Sequence, residues 1–227
     1  MKQKKYSPFG FPQIFYSIFP ILILIGFFIA FWKNPMDFRT FLENYPSFHG
    51  FVSSDLKTFQ NCLYISSVVL IFITHEFYGY SKTQFSKINH KLMPTKLLLS
   101  SAVLFAYIAV IGILGVLIFP ISDSEYFQDI MQKIFFFNLL SYLLTYEVII
   151  TKLNVHLPLL IYFYDSLMLL FMLFYFLLNF LPFLNENTPK LFSSLVEYVG
   201  FFLCLLKFPI CGWELSLINL KDAKKAE

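Results

Sequence analysis

The chain has 227 residues and a formal net charge of +3; 58% of its residues are hydrophobic and only 14% are charged. An ordinary soluble domain carries about 25% charged residues, so this composition excludes a soluble globular protein and indicates one embedded in a bilayer. The small positive charge is explained by lysines that meet anionic lipid, and no basic patch predicts nucleic-acid binding.

Six apolar stretches are long enough to cross the hydrocarbon core, which requires roughly 20 residues of helix. In chain order they cover residues 14–32, 59–74, 97–121, 134–150, 157–181 and 191–213. Backbone groups in lipid must be hydrogen-bonded within their own segment, so these runs predict helices. We therefore expect an all-α fold over residues 1–227: a single polytopic domain of six transmembrane helices.

The positions of lysine and arginine predict the orientation of this bundle. With the N-terminus inside, eleven of the 17 basic residues fall on inner segments and five on outer ones. The first stretch lacks a small-residue cleavage site and is long for a signal peptide, so we expect it to remain as the first span. Both termini are then cytoplasmic. The absence of any Asn-X-Ser/Thr acceptor is compatible with a bacterial origin, and we expect a multi-pass protein of the bacterial cytoplasmic (inner) membrane.

Two outer connections have distinct compositions. The longest, residues 33–58, is aromatic and has Phe38, Phe41 and Leu42 at helical spacing, which predicts a short helix in the membrane interface. Residues 122–132 are acidic and predict a solvated turn.

Asp165 is the most costly residue to insert, because it lies near the middle of the fifth span. A central Asp costs roughly 2.5–3.5 kcal/mol, although the many leucine, isoleucine and phenylalanine residues around it outweigh that cost. Tyr162 lies one turn away and could donate a hydrogen bond to it. Asp165 therefore either belongs to a substrate or proton pathway or ties helices together.

The fourth span carries a polar stripe at helical spacing, formed by Asn138, Ser141, Tyr142 and Thr145. Hydrogen bonds between helices explain such a stripe without a transport role, and a pathway is the alternative. Glu147 lies on the opposite face and is not part of the stripe.

The sixth span contains Glu197 and Lys207, which are about 15 Å apart along a helix and cannot pair directly. Glu197 is a further candidate for the pathway or for contact between helices. Lys207 is expected to extend its ammonium group to the inner surface.

The third span carries a stripe of small residues, which predicts close packing of helices. Its members are Ala102, Ala106, Ala109, Gly112 and Gly115.

Motifs for chemistry are missing from the sequence. It has no nucleophile elbow, no His-Glu-x-x-His and no phosphate-binding glycine-rich loop. Cys62, Cys204 and Cys211 have no metal-ligand spacing and are expected to be buried free thiols. We therefore expect no catalytic residues, no metal site and no cofactor in this chain.

The inner connection at residues 75–96 is the most informative for function. Phe85, Ile88 and Leu92 form one helical stripe, and Lys87 and Lys91 lie on a second stripe beside it. The period predicts a short amphipathic helix that stops before the proline at position 94. Such a helix either rests on anionic lipid or docks a cytoplasmic partner.

On these residues the chain resembles the six-helix permease subunits of ABC exporters, the group that includes bacteriocin- and lantibiotic-immunity permeases. In that family an acidic residue ends the second span, and a short coupling helix, a turn and a basic residue follow. The resemblance matches Glu76 to the acid, residues 85–92 to the coupling helix and Lys96 to the basic residue. It implies a separate ATP-binding subunit that docks there, and a second permease copy or paralogue.

The sequence therefore predicts a permease subunit of an ATP-driven exporter, in which substrate passes at the interface between two permeases. The docking residues implied by the resemblance are Glu76, Phe85, Lys87, Ile88, Lys91 and Leu92. The alternative is a membrane subunit that does not transport but scaffolds or anchors a larger complex, in which the polar residues hold helices together.

Overall fold

The computed structural model describes residues 12–33, 40–42, 57–87, 92–118, 121–153, 158–180 and 190–224. Six long helices account for nearly all of them: α1 (Pro12–Lys33), α2 (Lys57–Lys87), α3 (Leu92–Ile118), α4 (Ile121–Lys152), α5 (Leu159–Phe180) and α6 (Lys190–Lys224). No strand occurs among these residues, which confirms the all-α prediction for the described part of the chain.

Five of these helices, α2 to α6, are long and apolar enough to cross a membrane. The remaining helix, α1, contributes a shorter apolar segment, Ile14–Ile29. An apolar bundle of this kind indicates a multi-pass membrane protein. The sixth span and the cytoplasmic position of the termini stay predictions.

The helices extend well beyond the predicted apolar runs. α2 continues to Lys87 and α3 begins at Leu92, so the predicted 75–96 connection shrinks to residues 88–91, which lie outside the described residues. Residues 85–87 are the last turn of α2 and not part of a separate helix. α4 begins at Ile121, so the solvated turn predicted at 122–132 is wrong. Apolar runs mark only the lipid-covered centre of a helix, whereas its hydrogen bonds continue into polar sequence.

The helices pack in the order α1, α2, α3, α4, with the largest contact between α3 and α4. α6 packs against α1 and closes a ring, but its junction with α4 rests on only a few close backbone approaches. We call this junction the α4–α6 seam. α5 packs chiefly on α6. Only 22% of its apolar 18-residue segment is buried inside the bundle, against 61% for the corresponding segment of α4. The seam and α5 are therefore the most loosely packed part of the bundle.

The small-residue stripe of α3 packs as predicted. Its three alanines are all buried. A Cβ atom at Gly112 would lie 2.6 Å from the backbone nitrogen of Phe135, and one at Gly115 would lie 2.6 Å from Cγ of Met131. α3 and α4 therefore pack at the level of backbone contact, which explains their large interface.

Part of the connection after α1 is inserted in the bundle. Residues 40–42 are helical, and the Phe41 ring lies 4.8 Å from that of Phe31 on α1 and 5.1 Å from that of Tyr198 on α6. Phe41 and Leu42 are buried. These apolar side chains therefore find partners between the helices, and a position in the membrane interface stays a prediction. Phe38 lies outside the described residues.

Candidate functional site

Lys207 is the centre of a buried charge cluster that joins three helices. Its Nζ lies 2.5 Å from Oε1 of Glu147 on α4, 2.9 Å from Oδ1 of Asp165 on α5 and 2.9 Å from Oε1 of Glu214 on α6. Lys207 and Glu214 are fully buried, whereas Glu147 and Asp165 keep 16% and 14% exposure. We call these four residues the Lys207 cluster.

This cluster corrects two predictions and adds Glu147 to the site. Lys207 does not extend to the surface, because three carboxyl groups within ion-pair distance hold its ammonium group inside. Asp165 pairs with Lys207 and not with Tyr162, whose side chain is 46% exposed. Glu147 lies on a different face of α4 from the polar stripe, and on that face it pairs with Lys207.

Two tyrosines brace the helices around the cluster. The Tyr146 hydroxyl of α4 donates a hydrogen bond of 2.8 Å to the carbonyl oxygen of Cys211 on α6. The Tyr164 hydroxyl of α5 donates to the carbonyl oxygen of Leu203 on α6. Both contacts cross between helices and orient α4 and α5 against the residues that carry the charges.

A second polar group bridges the same helices further along. Nε2 of Gln132 on α4 donates to Oε1 of Glu197 on α6 at 3.0 Å and lies 3.4 Å from the hydroxyl of Tyr175 on α5. All three side chains are buried. We call them the Gln132 cluster. Gln132 was missed from the sequence because it falls in the segment that composition assigned to a turn.

An apolar layer separates the two clusters. From Gln132 to Glu147 the distance is about 22 Å along α4, by a rise of 1.5 Å per residue. The Phe136 ring of α4 fills part of this layer, with ring centroids 5.6 Å from Phe201 on α6 and 5.0 Å from Tyr175 on α5. The seam thus has a polar contact at each end and aromatic packing between.

Three members of the polar stripe of α4 bond differently from the prediction, whereas the fourth, Tyr142, is buried and stacks on Phe208 of α6 at 6.3 Å between ring centroids. Asn138 donates to the carbonyl of Ile134, Ser141 to that of Phe137, and Thr145 to that of Ser141, at 2.7–2.8 Å. These bonds stay within α4, so they do not hold helices together as expected. Short polar side chains in a helix bond the carbonyl one turn earlier when no partner faces them.

A third polar site faces outward. Nε2 of His75 on α2 lies 2.5 Å from the hydroxyl of Tyr107 on α3, and both side chains are exposed. Tyr107 lies eleven residues, or about 16 Å, along α3 from Lys96, and half of the hydrocarbon core is about 15 Å. α2 continues through His75 and the adjacent exposed Glu76, so both residues lie within a long helix.

The structure describes the side chains of two of the six predicted docking residues, so their grouping on one surface stays a prediction. Glu76 is exposed near the middle of α2, whereas Phe85 is buried in the core. The side chains of the other four lie outside the described residues; they are Lys87, Ile88, Lys91 and Leu92. The exposed charges described at this end of the bundle are on Lys82, Lys96 and Lys152, and we call it the lysine-rich end.

Candidate metal ligands and thiols occur among the described residues. They include no group of three or more His, Cys, Asp or Glu side chains placed to hold a metal ion, and Cys62, Cys204 and Cys211 are free thiols. What the Lys207 cluster can do chemically is bind and release small charged species inside apolar surroundings. No protein-family model, no curated protein and no solved structure matches the chain.

Proposed function

We propose that the protein is a permease subunit of a membrane transporter, with the α4–α6 seam as its moving part. The Lys207 cluster is the observation that carries this proposal. Ionisable groups inside membrane helices are costly and rare, and they usually mark substrate, ion or proton pathways. Four of them, contributed by three helices, exceed what is needed to hold two helices together.

The arrangement of the seam supports the same function. A transporter must open to one side of the membrane while it stays closed on the other. The Gln132 and Lys207 clusters bridge α4, α5 and α6 at two levels, so one can separate while the other holds. The limited contact between α4 and α6 lowers the cost of such a movement.

The outward-facing site on α2 and α3 supports pairing with a second permease copy. With Lys96 at the membrane surface, we place His75 and Glu76 near mid-membrane depth. Polar and ionisable side chains at that depth normally face protein and not lipid. His75 and Glu76 carry complementary chemistry, so a two-fold pairing can set His75 of one copy against Glu76 of the other. Exchange of Glu76 for Gln is expected to reduce co-purification of differently tagged copies, whereas Lys82→Gln, further along α2, leaves it unchanged.

The energy source of the proposed transporter is a partner ATPase, as the family resemblance implies. Such a subunit would dock at the lysine-rich end, which we place in the cytoplasm of a bacterial cell together with both termini. Charge reversal at Lys87 and Lys91 tests the docking by co-purification with an ATPase. Phe85 is unsuitable for this test, because it is buried in the core.

The alternative is a membrane subunit that scaffolds a larger complex. The broad exposed apolar face of α5 favours it, since another protein chain could cover that face as well as lipid does. Its largest exposed members include Leu159, Leu160, Phe163 and Leu173.

Thiol labelling tests transport without knowledge of the substrate. In a variant that lacks Cys62, Cys204 and Cys211, single cysteines replace Leu139, which is buried one turn from Phe136 on α4, or Phe137, which is 53% exposed on the same helix. If the seam opens to water, Leu139→Cys reacts with an aqueous thiol reagent and Phe137→Cys, which faces lipid, does not. Equal, slow labelling at both positions would contradict transport and favour the scaffold.

A further inference from the structure

The Lys207 cluster contains more acid than base. Glu147, Asp165 and Glu214 contribute three carboxyl groups, and Lys207 contributes one ammonium group. Ionisation of all four would leave a formal charge of −2 among apolar helices. Buried charge without a partner is strongly unfavourable, so the surplus requires a positively charged ligand.

Glu214 indicates where that ligand belongs. Its side chain is fully buried, Oε1 accepts the hydrogen bond from Lys207, and Oε2 has no hydrogen-bond partner among the described residues. A buried acceptor oxygen without a donor costs free energy. A proton on Glu214 would remove the charge of this carboxyl group.

No other described cation faces the cluster. The titratable groups around it come from every helix that packs there: Tyr16 on α1, Tyr146 on α4, Tyr164 on α5 and Cys211 on α6. All four groups are neutral or negative in any protonation state, so none can balance the surplus carboxylates.

We propose that the Lys207 cluster is a proton-binding site. Each proton taken up converts one carboxylate into a neutral carboxyl group, and two protons bring the cluster to neutrality. A metal cation suits the site less well, because the Lys207 ammonium group already occupies the point on which the carboxyl oxygens converge. A proton adds no volume and no repulsion at that point.

Protons enter this site from the edge and reach the interior through short contacts. Glu147 and Asp165 keep a small exposed fraction, whereas Glu214 is sealed behind Lys207. The two outer acids are therefore the groups through which a proton can reach Glu214 from outside the bundle. The inference deepens the proposed function, and it rests on that function only where proton uptake by the cluster accompanies movement of the α4–α6 seam.

Infrared spectroscopy of the purified full-length protein in lipid nanodiscs tests proton binding directly. The carbonyl stretch of a protonated carboxyl group is separate from the bands of a carboxylate. We expect wild-type protein to show this band at neutral pH and to lose it as the pH rises. Glu214→Gln, or Asp165→Asn if the former fails to fold, removes part of the band.

Two controls locate the signal. Asp129→Asn removes an acid that pairs with Lys133 at the helix surface, and it leaves the band unchanged. Glu197→Gln removes the buried acid of the Gln132 cluster and leaves the part of the band that is sensitive to Glu214. Identical spectra for wild type, Glu214→Gln and Asp165→Asn across the titration would overturn the proposal. Thiol labelling at Leu139 is independent of this result, so either proposal can fail alone.

Discussion

Removal of the positive charge from Lys207 is the most direct perturbation of the protein. Lys207→Met keeps much of the length and apolar character of the side chain but leaves the carboxyl groups of Glu147, Asp165 and Glu214 facing one another. The pairs of Lys207 with Asp165 and Glu214 are 2.9 Å long, and at an effective dielectric constant of about 20 each attracts by about 6 kcal/mol before the cost of desolvation. Loss of one partner of a buried pair typically destabilises by about 3–5 kcal/mol.

Reversible unfolding in mixed detergent micelles measures this change in the free energy of unfolding. We expect Lys207→Met to lose about 3–5 kcal/mol. The matched control is Lys133→Met, because Lys133 pairs with Asp129 at 2.6 Å across one turn and is partly exposed. Such an i,i+4 pair contributes about 0.3–0.5 kcal/mol.

A double variant separates the ion pair from general packing. Lys207→Met combined with Glu214→Gln removes one surplus carboxylate together with the ammonium group, and we expect it to recover about 0.5–3 kcal/mol relative to the sum of the single changes. If Lys207→Met destabilises no more than Lys133→Met, or if the two changes simply add, the carboxyl groups do not depend on Lys207 and the reasoning fails.

The remaining predictions concern packing and the second polar cluster. Gly112→Ala forces a Cβ atom into the backbone of α4 and should destabilise the bundle by about 1–3 kcal/mol; Gly79→Ala, with no atom within 4 Å of the new Cβ, should be neutral or stabilising by up to about 1 kcal/mol. Equal effects in the unfolding assay would contradict the close α3–α4 contact. Gln132→Leu leaves Glu197 without its described donor and should destabilise by about 1–3 kcal/mol. Ser141→Ala loses only a bond to its own helix and should change the free energy of unfolding little. A larger loss for Ser141→Ala than for Gln132→Leu would contradict the role of Gln132 as the contact between helices.

The existence of the helices could be predicted from the sequence, because a bilayer demands long apolar runs with internal hydrogen bonds. Their ends could not. The segment after Thr74 contains polar residues that read as a connection, yet α2 continues to Lys87. Hydropathy reports where lipid covers a helix and carries no signal for where the helix stops, so a docking helix was predicted where the chain continues α2.

The candidate site was predictable only in part. Asp165 could be singled out by its cost in lipid, and Lys207 and Glu214 lie two turns apart on one face of α6. The seven-residue spacing of that pair is a signal that sequence reasoning can use. Asp165 contacts the Lys207 cluster because of which helices are neighbours and how each helix is rotated about its axis. The periodicity of a single helix predicts neither of these.

The position of Lys207 on α6 has a consequence for biosynthesis. Glu147 and Asp165 are synthesised with α4 and α5, before α6 is made, and their only described cationic partner arrives with α6. A chain truncated before Lys190 therefore exposes two unpaired acids inside the bilayer, together with the open end of the helical ring.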